Sequence, residues 1–407
     1  MKKILKGKFQ KIRNVRFDLF KDFYESEKSS GYLLVFLTIF SMIIANGTIG
    51  SDYIKILRSY IDLSFAGIEL KYSLEHWIND GLMVIFFLLV GLEIEREIYA
   101  GELSSIRKAS LPVIAAVGGM LIPAAIHFTF NAGTTTQKGF GIPMATDIAF
   151  TLGVLSLLGK RIPFSLKIFI TALAIIDDLG AIVIIAFFYT NNLSIAYLLG
   201  SIAVFIILLL MNKSNVNRLS PYLLLGLVMW YLMLKSGVHS TISGVLLAFA
   251  IPFRTQGDKN ISYILQKRLH KPVAFIILPI FALANTAILL PNDIWGNLTT
   301  TNSIGIILGL VVGKPVGILI FTYLAIMIRV GVLPSRINWG LIIGAASLAG
   351  IGFTMSIFIT NLAFSNIELV TASKLSIIIA SSISAILGLL ILKSAVGSRK
   401  NFVNNAD

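Results

Sequence analysis

The sequence predicts an all-α polytopic membrane protein of about twelve transmembrane helices, and three observations carry that prediction. Hydrophobic residues make up 56% of the 407 and charged residues only 13%, half the share usual in a water-soluble domain. Apolar stretches long enough to span a bilayer follow one another almost without pause after Gly31. The loops between them reach roughly 20–30 residues at most, which leaves no room for a soluble domain.

The chain divides into a basic segment at 1–30, one transmembrane domain at 31–396 and a tail at 397–407. The first segment holds nine lysines and arginines, from Lys2 to Lys28, interleaved with Ile12, Val15, Phe17, Leu19, Phe20 and Phe23. That pattern suits an amphipathic stretch lying on an anionic inner leaflet. It lacks the short apolar core and small-residue cleavage site of a signal peptide. Cysteine is absent, which excludes disulfides, thiolate catalysis and Cys-based metal sites.

Spans are expected near 31–50, 77–98, 110–130, 141–159, 164–189, 193–211, 219–235, 237–252, 272–290, 303–328, 338–361 and 370–394. With residues at span ends counted with the adjoining loop, 26 of the 34 lysines and arginines fall on the N-terminal side and five on the other. So strong a bias puts both termini in the cytoplasm. It also accounts for the net charge of +14 by topology rather than by nucleic-acid binding. The one sizeable outer loop, 51–76, alternates apolar residues around Ala66-Gly67, and a β-hairpin is expected over 61–72. An exposed hairpin edge is suited to pair with a second copy, so a homodimer is expected.

Two spans are rich in small and helix-breaking residues. One reads Gly141-Ile-Pro-Met-Ala-Thr-Asp147-Ile-Ala-Phe-Thr-Leu152 and the other ends Gly350-Ile-Gly-Phe-Thr-Met355. They occupy corresponding positions in two halves and run in opposite directions, as in an inverted-topology repeat. Two discontinuous helices, near 141–159 and 338–361, are expected to cross at a midplane site.

Charges within spans are few. Asp177 and Asp178 stand together in the middle of the apolar run from Phe169 to Tyr189, where each carboxylate costs about 2.5–3.5 kcal/mol. Neighbouring helix positions point about 100° apart. One aspartate therefore meets a partner such as Lys314 while the other faces a cavity. Lys314 lies too near the centre of its span to snorkel to an interface, unlike Lys167 and Lys374. Such carboxylates hold protons or a small hard cation, but not both together, and that competition is the minimum needed for exchange. Asp147, beside Thr146 at a break, is placed to offset the positive ends of half-helices. Glu93 and Glu97 share one helix face at the cytoplasmic end of the second span, and His239 occupies an outer turn. These three are the candidate pH-sensing residues.

The motifs Leu173-Ala-Ile-Ile-Asp177-Asp178-Leu-Gly180, Ala145-Thr146-Asp147, Gly313-Lys314-Pro315, Gly91-Leu-Glu-Ile-Glu-Arg-Glu97 and Gly350-Ile-Gly-Phe-Thr354 closely resemble those of the NhaA-type sodium/proton antiporters. That family is itself a standing example of inverted repeats around a midplane site. The resemblance implies that Asp178 is the chief Na+ or Li+ ligand and Asp177 its partner in ion and proton exchange. It implies that Lys314 pairs with Asp177, and that Asp147 and Thr146 balance the half-helix dipoles. It further implies an electrogenic antiporter of the bacterial inner membrane that regulates internal pH and sodium. Such a protein is dimeric, needs no cofactor and has Na+, Li+ and H+ as its substrates. Glu95 stands where the family pattern has lysine and Gln266 where it has glutamate, so a shifted pH profile is expected.

Two other readings compete. An intramembrane aspartyl protease needs its aspartates on separate helices, and Asp177-Asp178 does not provide that. A sodium-coupled solute symporter shares broken helices but needs an apolar-lined solute pocket.

Overall fold

A computed structural model describes residues 29–64, 69–190, 193–253, 260–291, 293–334 and 337–404. The basic segment at 1–28 and the expected hairpin turn at 65–68 lie outside the described residues. The rest is overwhelmingly helical.

The chain enters through α1 (Ser29–Ala45) and bends by 109° into α2 (Gly50–Arg58). Asn46 and Gly47 make the corner: the Asn46 amide donates to Ile288 O at 2.8 Å, and the Gly47 N–H folds back to Ile44 O at 3.1 Å. The first span, expected to run to residue 50, therefore stops at Ala45. Strands β1 (Tyr60–Asp62) and β2 (Lys71–Ser73) then pair antiparallel, with Ile61 opposite Tyr72. The two flanks of the expected hairpin are thus observed as a ribbon.

The long helices that follow are α3 (Leu74–Ala100) and α4 (Ile106–Asn131). A 3-10 stretch at Gln137–Met144 leads to α5 (Ile148–Ser156), and α6 (Phe164–Phe188) carries the aspartate pair. Next come α7 (Ile195–Lys213), α8 (Leu219–Ser236), α9 (Ile242–Ala250) and α10 (Ile261–Asn285). The C-terminal part holds α11 (Ile294–Leu298), α12 (Thr301–Met327), α13 (Trp339–Ala349), α14 (Phe353–Ala363) and α15 (Ile367–Asn404).

Among the described residues nine helices are long and apolar enough to cross a membrane, or eleven with each of two bent pairs taken as one span. The shortfall from twelve falls at 237–252, where α9 has nine residues and spans about 14 Å, half of a hydrocarbon core. Helix α10 starts at Ile261, well before the expected 272, because the charged stretch through Lys271 is amphipathic rather than unstructured.

Burial sorts the helices. In the stretch Gln137–Ser156 83% of the spanning window is buried, and in α6 67%, against 17% in α7. The aspartate-bearing helix is therefore central, and α7 is peripheral. Helices α4 and α12 approach closely at Gly118 and Gly317, where an added Cβ on either would meet the backbone of the other. That approach sets Lys314, one turn before Gly317, into the interior. Pro315 has no N–H to continue the helical ladder. The chain accommodates this with a π-type stretch at Gly309–Gly313, in which the Lys314 N–H reaches back to Gly309 O.

Candidate functional site

Both expected breaks are present, and they meet. The first lies at residues 145–147, where the backbone runs extended after Pro143. The second lies at 350–352, between α13 and α14, which are bent by 42°. The Asp147 N–H donates to Ile351 O at 2.7 Å, and the Ser356 hydroxyl to Ile142 O at 2.7 Å, so each break is stitched to the other.

Asp147 serves two helix starts at once. Its Oδ1 accepts the Phe150 N–H at 2.9 Å, capping α5, and its Oδ2 accepts the Thr354 N–H at 3.0 Å, at the start of α14. The Thr354 hydroxyl donates to the same Oδ2. A carboxylate between two helix N-termini satisfies orphan donors and opposes both dipoles. The C-terminal ends are met by donors. The Lys314 ammonium donates to Met144 O, and the Thr146 hydroxyl reaches Ala349 O at 2.9 Å. Sequence reasoning placed Asp147 here but missed Thr354; the signal was its match with Thr151 in the paired motifs.

Asp177 and Asp178 differ sharply in company. Asp177 Oδ2 lies 2.9 Å from Lys314 Nζ and 2.7 Å from the Thr146 hydroxyl. That hydroxyl has one hydrogen, which is shared between Asp177 and Ala349 O. Asp177 Oδ1 and Asp178 Oδ1 are buried without a hydrogen-bond partner, and among the described residues no hydrogen bond or ion pair reaches the Asp178 carboxylate. Asp147, Asp177, Asp178, Thr146 and Lys314 are all buried. Asp178 nonetheless lies within electrostatic reach of Asp177, Asp147, Glu93 and Lys314. At the crossing itself, Asp147, Asp177 and Asp178 against the Lys314 ammonium leave two negative charges when all are ionised, which protons or a cation must offset. Unpartnered carboxylate oxygens and the Thr146 hydroxyl form an oxygen-rich set suited to a hard cation. Among the described residues no group of three His, Cys, Asp or Glu side chains is placed to hold a metal.

Of the three candidate pH-sensing residues, Glu93 and Glu97 lie one turn apart on α3 and act on each other electrostatically, whereas His239 is on another part of the chain. Glu93 is buried, with Oε1 unpartnered and Gln266 within hydrogen-bond reach. Glu97 accepts from the Arg96 guanidinium at 2.9 Å and from the Glu102 N–H at 2.8 Å. Between them Glu95 accepts the Ser262 hydroxyl at 2.7 Å, a contact the sequence did not suggest. His239 sits in the turn after α8, outside the spanning helices, and donates from Nε2 to Tyr189 O at 2.8 Å. Burial pulls its imidazole below the ordinary histidine range; Asp80 and the Tyr189 carbonyl oppose that shift, and His76 adds to it.

Comparison with known proteins matches residues 21–392 to the family described as Na+/H+ antiporter 1. The chain belongs to that family. It is 54% identical over 375 residues to the Na(+)/H(+) antiporter NhaA of Cytophaga hutchinsonii, covering 92% of this chain and 95% of the relative. It is 56% identical over 375 residues to the NhaA of Dechloromonas aromatica, covering 91% and 94%. The NhaA of Flavobacterium psychrophilum is 54% identical over 387 residues, covering 94% and 99%. As a member of this antiporter family, the chain has apolar helices and a buried charge cluster that belong to a multi-pass membrane transporter. The symporter reading finds no support among these relatives.

Proposed function

We propose that this antiporter extrudes Na+ or Li+ in exchange for protons, with Asp178 as chief cation ligand and Asp177 as its partner on the proton and lysine side. The observation that supports the reading best is the division between the two neighbours. Asp177 is engaged by Lys314 and Thr146, whereas Asp178 is buried with oxygen to spare. With both carboxylates ionised the cluster holds the cation. Protonation removes the charge that held it, and the cation leaves. Lys314 and Asp147 remain as fixed charges around which the exchange runs, and Thr146 moves its single hydrogen between Asp177 and Ala349 O. More protons entering than Na+ leaving makes the cycle electrogenic.

In this reading the chain crosses the inner membrane twelve times, with α9 completing the twelfth crossing and both termini in the cytoplasm. The two broken spans belong to inverted repeats. The segment at 1–30 rests on the anionic inner leaflet, and the β1–β2 ribbon pairs with that of a second copy. Glu93, Glu97 and His239 adjust activity to pH. The test is Na+-induced collapse of a preformed pH gradient in proteoliposomes without any added solute. A gradient that survives Na+ and Li+ at every pH between 6 and 9, a range chosen to bracket neutrality, would rule the reading out.

A further inference from the structure

Helices α12 and α13 leave an apolar groove of about 420 Å³ between them. Leu319, Ile320, Tyr323 and Leu324 form one wall, and Trp339 and Ile343 the other. Both sets repeat at helical spacing, so each wall is a stripe along its helix. The stripe on α12 continues through Met327 and Ile328, both exposed, and ends at Arg329. From Leu319 to Arg329 is about 15 Å at the helical rise, half of a hydrocarbon core and so the depth of one leaflet. The two walls belong to helices of the aspartate site. Lys314 lies about 8 Å along α12 from Leu319, and α13 ends at the Gly350 break.

One rim of the groove is aromatic and basic. Tyr323 and Trp339 approach across it with ring centroids 6.1 Å apart. Among the described residues no protein group bonds to the Tyr323 hydroxyl or the Trp339 indole N–H. Rings of this kind, apolar in body with a polar tip, collect at the headgroup level. Arg329 is exposed and holds a φ of 59°. It stands just past the helix end, where the Val330 and Gly331 N–H groups return to Ala325 O at 3.0 Å, a position that glycine ordinarily fills. An arginine kept there against its backbone preference calls for a use of its guanidinium. Lys393 lies at the same end, two residues before the Ala395 methyl that packs on Gly340. Among the described residues no carboxylate pairs with either cation. From Ile294 to Ala406 the sequence holds one acid, Glu368, at the far end of α15. The counter-charge therefore comes from outside this part of the chain.

We infer that the α12–α13 groove seats one anionic phospholipid of the inner leaflet, with an acyl chain between the walls and the phosphate on the Arg329 guanidinium. The planar fork of arginine matches a phosphate through two parallel hydrogen bonds. A zwitterionic lipid offers the same chain but no net charge, and leaves the rim cations unbalanced. The leaflet named rests on the orientation proposed above.

Trp339 is a built-in reporter among the four tryptophans of the chain. The full chain is reconstituted in phosphatidylcholine vesicles with rising fractions of brominated phosphatidylglycerol or brominated phosphatidylcholine, whose bromine quenches a tryptophan on contact. Subtracting the emission of Trp339→Phe isolates the one ring. Half-quenching should need about tenfold less of the anionic lipid than of the zwitterionic one. Arg329→Gly suits the backbone at this position, so it should stay monodisperse and melt no lower than the parent, yet bring the two curves together. Arg329→Gln, which keeps the length of the side chain without its charge, should do the same. Equal curves in the parent would reduce the groove to ordinary lipid contact, and a preference that survives both substitutions would remove Arg329 from the seat; either result overturns the inference. Quenching is read without Na+, and exchange is measured on the same vesicles. A parent that exchanges but shows no preference refutes the seat alone, whereas a preference without exchange supports the seat and refutes the antiport reading.

Discussion

The Asp147 carboxylate and the Thr354 N–H stand 3.0 Å apart across 207 residues of chain. One side chain thereby fixes where two broken helices begin, since its other oxygen caps α5. A lost cap costs about 1 kcal/mol, with a range of 0.5–2. Asp147→Ala should therefore destabilise the protein by about 1–4 kcal/mol. Asp147→Asn keeps one acceptor and should fall between the variant and the parent. Thermal unfolding in detergent orders the three, and equal midpoints for Ala and parent would contradict the double cap.

Asp178→Asn should abolish Na+-dependent proton release. The substitution keeps the shape of the side chain while removing the charge that offsets a cation. Because no described group bonds to the Asp178 carboxylate, the fold loses little, and the melting temperature should stay within a few degrees of the parent. Normal turnover in reconstituted vesicles would refute the assignment. Loss of turnover together with a large drop in stability would show a structural role instead.

The site was more legible in the sequence than the fold around it. Asp177, Asp178 and Lys314 announced themselves by cost, because a charge at the centre of an apolar run has few explanations. Pro143, Gly350 and Gly352 marked the two breaks, since each disturbs the helical ladder locally. Hydropathy averages along the chain, however, and reports no direction. It carried the first span past the corner at Asn46-Gly47, and over 237–252 it did not register that the helix α9 has only nine residues. The Thr354 cap and the Glu95–Ser262 bond join residues far apart in sequence, and no local pattern encodes such pairings.

Lys314→Ala should cost about 3–5 kcal/mol, because it strands the Asp177 carboxylate in the interior with the shared Thr146 hydrogen as its remaining donor. Replacing both members of a buried pair is commonly far gentler than removing one. The double substitution Lys314→Met with Asp177→Asn should therefore melt well above Lys314→Ala. A double-mutant cycle on unfolding midpoints measures the coupling, and additive effects would show that the 2.9 Å pair contributes nothing.

Glu95 and Gln266 alter the charge where the C-terminal part of α3 meets the start of α10, at positions where the resembled pattern has lysine and glutamate. Glu95 accepts the Ser262 hydroxyl, and Gln266 lies within reach of Glu93. The paired substitution Glu95→Lys with Gln266→Glu should leave maximal exchange intact and displace its pH profile. Exchange followed across a pH series in matched proteoliposomes checks this, and superimposable profiles would remove these positions from pH control.

His239 gives a stability dependence whose sign follows from its surroundings. Its folded-state pKa is depressed, chiefly by burial, so the folded protein resists a proton that the unfolded chain accepts near pH 6.5. The unfolded state then binds more protons, and stability falls as pH drops below about 6.5. One group contributes at most about 1.4 kcal/mol per pH unit. Asp80 works against the effect, since its carboxylate favours the imidazolium. His239→Gln should flatten the melting temperature between pH 5 and 7, the interval that brackets the histidine titration, while Asp80→Asn should steepen it. If His239→Gln melts with the same pH slope as the parent, the acid sensitivity belongs to other groups, and His239 is left as the donor that ties the turn after α8 to the Tyr189 carbonyl.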